Sequence, residues 1–190
     1  MYSSLSLLRP ALFLDRDGVI NIEKNYVYRI EDFDFVDGIF DLCHTALKCN
    51  MLIVVVTNQS GIGRGLYSEK QFIKLTNWMC DKFAENKISI SAVYHCPFHP
   101  LHGLEGYRRE SYDRKPNPGM IFRARENLNI DLSKSVLIGD KVSDIDAAKA
   151  AHIGLSLLLS KTITSSFSDI IVTSLHEAKQ RILKFSNGDF

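Results

Sequence analysis

The stretch Ala11-Leu12-Phe13-Leu14-Asp15-Arg16-Asp17-Gly18 decides how this chain is read. Its apolar half predicts a short strand buried on both faces, as strands are in the interior of a parallel sheet. Asp15 and Asp17 then follow at the carboxyl end of that strand, two positions apart. The pairing suits phosphoryl transfer, because one carboxylate can attack phosphorus while its neighbour protonates the leaving oxygen and later deprotonates water. Taken alone, the same residues also fit a strand-ending turn of solvated acids.

Outward from this segment, strand-like apolar runs alternate with helical patterns, which predicts an α/β fold with a Rossmann-like parallel sheet and helices on both faces. Gly38 to Lys48 reads as an amphipathic helix, and Leu52 to Val56 as the clearest buried strand. Ser68 is an expected N-cap for a helix through Ala84, with Glu69 adding charge to its first turn. A strand at Ile90–Tyr94 precedes a loop-rich stretch from Cys96 to Pro118, and Pro118 is expected to start a helix through Asn127. Strands at Ser135–Ile138 and Leu155–Leu159, with helices at Ser143–Ala151 and Leu175–Phe185, complete the pattern.

The 190 residues are 45% hydrophobic and 24% charged, so one core is within reach and a single domain over 1–190 is expected. A net charge of +1 announces neither nucleic acid nor an anionic membrane surface. Met1 to Pro10 is mildly apolar but lacks a basic lead-in and a small-residue cleavage site, and no run approaches a membrane span. The four cysteines form no CxxC. These features predict a cytoplasmic protein with reduced thiols; a monomer acting on a small molecule is the accompanying expectation.

Ligands of open α/β sheets bind beyond the carboxyl ends of the strands. There the first strand carries Asp15 and Asp17, the second Thr57-Asn58-Gln59-Ser60-Gly61, and a later one Gly139-Asp140-Lys141 with Asp144. Arg114-Lys115-Pro116, just before a helix, adds two cations. Each piece also has a bland reading, as an N-cap, a solvated turn or a surface pair. Their order along the chain is far more specific than any one of them.

That order, hhhhDxDG, hhhhT, an RKP lysine and hhGDxxxD, resembles the haloacid dehalogenase superfamily from about residue 11 to residue 150. The segments FLDRDGVIN, VVVTNQSGIGRG, CPFHP, RKPNPGM and IGDKVSDIDAA are similar to its small-molecule phosphatase branch, which acts on heptose bisphosphates and histidinol phosphate. The resemblance implies a Mg²⁺-dependent aspartyl-phosphate mechanism and no large cap domain. It implies Asp15 as nucleophile and Mg²⁺ ligand, and Asp17 as general acid/base that also offers its carbonyl to the metal. Thr57 and Lys115 would hold the transferring phosphoryl group, Asp140 would complete the metal's protein ligands, and Asp144 would orient a metal-bound water or Lys115. Arg16, Glu23, Lys24, Asn25, Tyr26, Asn58, Gln59, Ser60, Arg114 and Lys141 are the implied substrate contacts. Removal of the C7 phosphate of a heptose 1,7-bisphosphate, in the biosynthesis of nucleotide-activated heptose, is the favoured reaction. A histidinol-phosphate phosphatase, a DNA 3′-phosphatase and a silent sugar-phosphate-binding module are the alternatives.

One departure concerns zinc. Relatives that hold a structural Zn²⁺ use a cysteine, a histidine two residues on and a CxC before the RKP. Here Cys96 is followed by Phe98, Ser111 and Asp113 at the other positions, so structural zinc is expected to be absent despite His95, His99 and His102 nearby. Gly61-Ile62-Gly63-Arg64-Gly65 lacks the ending of a nucleotide P-loop and reads as a flexible bend beside the phosphate site, with Arg64 as a possible contact. Trp78, Met79 and Phe83, at helical spacing, read as core.

Overall fold

A computed structural model of the protein describes residues 8–162 and 171–189. Residues 1–7, most of the mildly apolar amino-terminal stretch, therefore lie outside the described residues.

β1 (Ala11–Leu14) forms where the apolar run predicts it, and its side chains divide between two apolar layers. Leu12 and Leu14 pack with residues of α1 (Ile39–Lys48), α3 (Glu69–Glu85) and α6 (Leu175–Asn187). Ala11 and Phe13 pack with residues of α4 (Gly119–Leu128) and α5 (Val142–Ala150). β2 (Leu52–Asn58) repeats the division, with Ile53 and Val55 in the first layer and Val54 and Val56 in the second. A period of two applied to all-apolar strands thus produces a sheet that must be covered on both faces.

The six strands lie in the order β3-β2-β1-β4-β5-β6, every pairing parallel. Here β3 is Ile90–Cys96, β4 Val136–Gly139, β5 Leu155–Leu159 and β6 Ile171–Val172. From β1 the chain steps outward through β2 to β3, then returns to β4 on the other side of β1. This reversal opens a crevice beyond the carboxyl ends of β1 and β4. Between β1 and β2 lie only loop, a one-turn 3-10 helix at Ile30–Asp32 and α1, so no cap domain is inserted there. No helix among the described residues is long and apolar enough to cross a membrane.

The helix signals act as expected at Ser68, whose hydroxyl accepts from the Gln71 N–H while the Gln71 side chain accepts from the Ser68 N–H. Pro118 stands as the residue just before α4. Other boundaries differ. β2 runs on through Thr57 and Asn58, and β3 on to Cys96, because Thr57 and Asn58 pair with His95 and Cys96 across the ladder. The glycine-rich segment contains a one-turn helix, α2 (Ser60–Gly63), whose last three residues are buried. Its glycines serve close packing: a Cβ on Gly61 would lie 2.2 Å from the Tyr67 ring, and one on Gly63 2.5 Å from the Pro97 carbonyl. The flexible bend read from composition is thus a packed turn.

Trp78, Met79 and Phe83 pack where helical spacing put them, and Phe83 is fully buried with ring centroids 5.1 Å from Phe40 and 5.9 Å from Phe35. Phe83→Ala should cost about 3–5 kcal/mol of stability through lost burial and an unfilled cavity. The denaturant midpoint, followed by the fluorescence of Trp78, checks this; a change under about 1 kcal/mol would mean the site collapses around the vacancy.

Candidate active site

β1 ends by donating the Asp15 N–H to the Ile138 carbonyl of β4, which fixes the Asp15 side chain at the mouth of the crevice. One of its carboxylate oxygens accepts from the Arg16 N–H at 2.7 Å and from the Lys115 ammonium at 3.0 Å. Lys115 is almost fully buried, and its ammonium also meets the Asp144 carboxylate at 2.6 Å and donates to the Val56 carbonyl at 2.8 Å. Its backbone is anchored by Asn58, whose side-chain amide gives one bond to the Lys115 carbonyl at 3.0 Å and takes one from its N–H at 3.1 Å. β2 thereby sets the height of the lysine over the strand ends.

Asp140 follows β4, and Asp144 sits in the first turn of α5, where its carboxylate accepts from the Lys141 N–H at 3.0 Å. Asp15, Asp140 and Asp144 each offer an oxygen within 4.8 Å of the others. One oxygen of Asp140 is buried without a hydrogen-bond partner. The donor set is all oxygen and carries more negative than positive charge, the composition a hard divalent cation such as Mg²⁺ requires. Gly18, with φ +89°, packs against this group: a Cβ there would lie 2.4 Å from an Asp140 oxygen, so only glycine allows the DxDG turn to close over it.

A cavity of about 480 Å³ opens above these residues. Asp15, Asp17, Lys115 and Asp144 line it, together with Glu23, Asn25, Tyr26, Asn58, Gln59, Ser60, Arg114 and Lys141. Asn25 and Tyr26 both hold positive φ, 58° and 64°, an uncommon conformation for consecutive non-glycine residues and one that often marks functional loops. Arg114 is half-buried and donates to the Phe98 carbonyl at 3.0 Å. Burial pulls its guanidinium below the ordinary value.

Several expected contacts stand elsewhere. Arg16 is 1% exposed, with its guanidinium on Asp17 and the Val27 carbonyl, so it turns into the protein and away from any substrate. Lys24 pairs with Asp34 on the surface at 2.6 Å and does not line the cavity. Thr57, by contrast, keeps its expected place near the end of β2; it is buried and accepts from the Gln59 amide at 2.9 Å, with its own hydroxyl proton still to give. Tyr67 and Ser143 line the cavity and were not expected there. Tyr67 carried one sequence signal, a large aromatic immediately before the Ser68 N-cap, where an apolar side chain often packs back on the protein.

The loop from Cys96 to Asp113 holds together through packing and hydrogen bonds. The Arg109 guanidinium lies 4.0 Å over the Phe98 ring, Phe98 packs on Tyr107, and the Ser111 carbonyl accepts from Asn117. Burial pushes the Cys96 thiol up.

Comparison with known proteins follows this geometry. A family model described as HAD-hydrolase-like matches residues 112–166. The D-glycero-beta-D-manno-heptose-1,7-bisphosphate 7-phosphatase of Vibrio cholerae is 42% identical over 183 residues, 94% of this chain and 98% of that protein. The chain belongs to the haloacid dehalogenase superfamily. Within it, the D-glycero-alpha-D-manno-heptose-1,7-bisphosphate 7-phosphatase of Burkholderia mallei is 53% identical over 78% of this chain and 79% of its own length. A HAD-like phosphatase of Mesorhizobium loti superposes with a TM-score of 0.84 at 29% identity, over 95% of this chain and 87% of that one. The D,D-heptose 1,7-bisphosphate phosphatase of B. bronchiseptica, solved with magnesium and phosphate, shares the fold at a TM-score of 0.75 and 23% identity, over 92% and 98% of the two chains.

In this haloacid dehalogenase site, burial pushes the Asp15 carboxyl up to about 7 against the pull of Lys115, and Asp144, Asp17 and Asp140 push it the same way as burial. An unfolded aspartate titrates near about 3.9. The folded state therefore holds this proton more tightly, and the stability it contributes is complete below about pH 4 and lost as pH rises through about 7. In chelator, the metal-free wild type should lose thermal stability relative to Asp15→Asn across that window. A gap between the two melting temperatures that stays constant with pH would refute the assignment.

Proposed function

We propose that this chain is a Mg²⁺-dependent phosphatase that removes the C7 phosphate of a D-glycero-D-manno-heptose 1,7-bisphosphate, working as a single-domain monomer of the cytoplasm on the route to nucleotide-activated heptose. One observation carries the reading. Asp15 and Asp144 grip the buried Lys115 and cluster with Asp140 at the strand ends of a chain 42% identical, over nearly its whole length, to a phosphatase of that name.

In this reading an Asp15 oxygen attacks the phosphorus of the C7 phosphate, and the bond to the sugar oxygen breaks with its electron pair going to that oxygen. Asp17 gives the oxygen a proton. Water then attacks the aspartyl phosphate and returns a proton to Asp17, while the carboxylate leaves from phosphorus and phosphate is released. Lys115 neutralises the phosphoryl oxygens, aided by the Thr57 hydroxyl. Asp15 and Asp140, with the Asp17 carbonyl, would hold the Mg²⁺, and bound there it would offset the repulsion between a carboxylate and a phosphate dianion. Asp144 orients Lys115. Glu23, Asn25, Tyr26, Ser60 and Lys141 face the sugar, and Arg114 takes the remote phosphate.

The loop at Cys96 is read as free of metal, since a neutral buried thiol with Phe98, Ser111 and Asp113 makes a poor zinc site. Dialysed protein should hold well under one zinc per chain by elemental analysis, EDTA should silence it, and Mg²⁺ alone should restore it. A stoichiometric zinc that survives dialysis, or recovery that needs zinc, would overturn this part.

Substrate class is tested by the position cleaved. Phosphorus NMR of the product should show the C1 phosphate intact, and Asp15→Asn should be inactive. Arg114→Ala should lower kcat/KM for the bisphosphate by about 10- to 100-fold, the worth of a charged hydrogen bond, and affect a small phosphate ester much less. Lys115→Ala should damage both. Release from C1, or a preference for histidinol phosphate, would overturn the substrate and leave the aspartyl-phosphate chemistry standing.

A further inference from the structure

The residues expected to touch substrate include two that bind Asp17 instead. The Arg16 guanidinium straddles its carboxylate, with Nη2 at 2.9 Å and 2.8 Å from the two oxygens and Nε at 3.2 Å from the first. The same Nη2 donates to the Val27 carbonyl at 2.7 Å, and the guanidinium lies 5.7 Å over the Phe72 ring. Its other terminal nitrogen, Nη1, is buried with no hydrogen-bond partner. A buried donor left unsatisfied costs free energy, so the position of this arginine is imposed by what its other nitrogens do.

Gln59 is 2% exposed, and its Nε2 donates to the second Asp17 oxygen at 2.8 Å and to Thr57 Oγ1 at 2.9 Å. Asn21 adds a third donor at 3.1 Å. An amide can present either end, and a carboxylate can use only the N–H end. Tyr67 settles the choice, because its hydroxyl donates to Gln59 Oε1 and leaves Nε2 for Asp17. Tyr67 is itself wedged, stacked on Tyr28 at 5.3 Å between centroids and seated against Gly61, where a Cβ would collide with its ring.

We propose that Arg16, Gln59 and Tyr67 are positioning residues that hold Asp17 for proton transfer to and from the leaving oxygen, with Tyr67 acting at one remove by fixing the Gln59 amide. The inference rests on reading Asp17 as the acid/base group. It gives Arg16 and Gln59 a role in the chemistry in place of sugar recognition, and it adds Tyr67 to the site. Misplacement of a reacting group by a single ångström is enough to slow an enzyme severely, which is why a side chain with two free torsions is held from three directions.

The assignment separates by leaving group. When the P–O bond of an alkyl phosphate breaks, the departing alkoxide needs the Asp17 proton; 4-nitrophenolate departs without one. Gln59→Glu, which puts an acceptor against Asp17, should slow the first turnover of the heptose bisphosphate about 10- to 100-fold more than the first-turnover burst with 4-nitrophenyl phosphate. Tyr67→Phe keeps the ring and its packing and should show the same selectivity at roughly a third to a tenth of that size. Arg16→Ala should lose the alkyl reaction selectively and regain part of it with added guanidinium. Equal losses on the two leaving groups, or unchanged alkyl turnover in Tyr67→Phe, would overturn the proposal. If wild type ignores the heptose bisphosphate yet cleaves another sugar phosphate, and Gln59→Glu still separates that ester from the aryl one, the proposed substrate fails and the positioning role stands.

Discussion

The arrangement at the strand ends depends on one buried ammonium. Lys115 is enclosed by the carboxylates of Asp15 and Asp144 and the Val56 carbonyl, and its backbone is tied to Asn58. A buried charge this far from water is tolerable only when paired and hydrogen-bonded, and here the partners come from β1, β2 and α5. Burial alone pulls the lysine below its ordinary value, yet Asp15 and Asp144 raise it overall. Two cations, Lys115 and Lys141 with its ammonium 3.7 Å from Asp140, are nevertheless set against three carboxylates once Asp140 is counted. The surplus negative charge has two outlets, a proton on Asp15 or a cation among the oxygens. Burial pushes the Asp15 carboxyl to about 7, so the two outlets compete within the neutral range.

The same balance explains why the parallel sheet was legible in the sequence. Strands buried on both faces leave almost no polar residue inside, so the first polar positions after Leu14, Val56 and Ile138 mark the approach to the crevice. Asp15, Asp140, Asp144 and Lys115 are brought together because the reversal of strand order places β1 beside both β2 and β4. Local signals did as well where they rest on one hydrogen bond, as at Ser68. They did less well where pairing decides: Thr57 and Asn58 look like loop residues by type, and the ladder to His95 and Cys96 holds them in β2. β6, at two residues, offers no period to read.

Side-chain direction was the part least visible beforehand. Arg16 lies between two acids that line the cavity, and a cation there suggests an anionic ligand. The chain after Asp17 folds back so that the Arg16 carbonyl accepts from Ile20 and Asn21, and the side chain is enclosed beneath that turn. Lys24 fails for the opposite reason, since Asp34 lies across the loop and draws it to the surface. Glycine gave a comparable ambiguity. Gly61 and Gly63 suggest freedom by composition, whereas Tyr67 and Pro97 occupy the space their missing side chains leave.

The loop from Cys96 to Asp113 is stiffened by packing and hydrogen bonds. Arg114 lines the cavity from a segment without regular structure, and a mobile loop there would spend the binding energy of any occupant on its own ordering. A metal tetrad is one way to stiffen such a segment. In this chain the aromatic ring of Phe98 lies under the Arg109 guanidinium, and its carbonyl accepts from Arg114 itself. The residue that stands in the position of a zinc ligand thus orients the arginine through its backbone while its side chain packs the loop. Phe98 serves both parts: its carbonyl takes a charged hydrogen bond from Arg114, and its ring stacks under Arg109 to hold the loop that presents it.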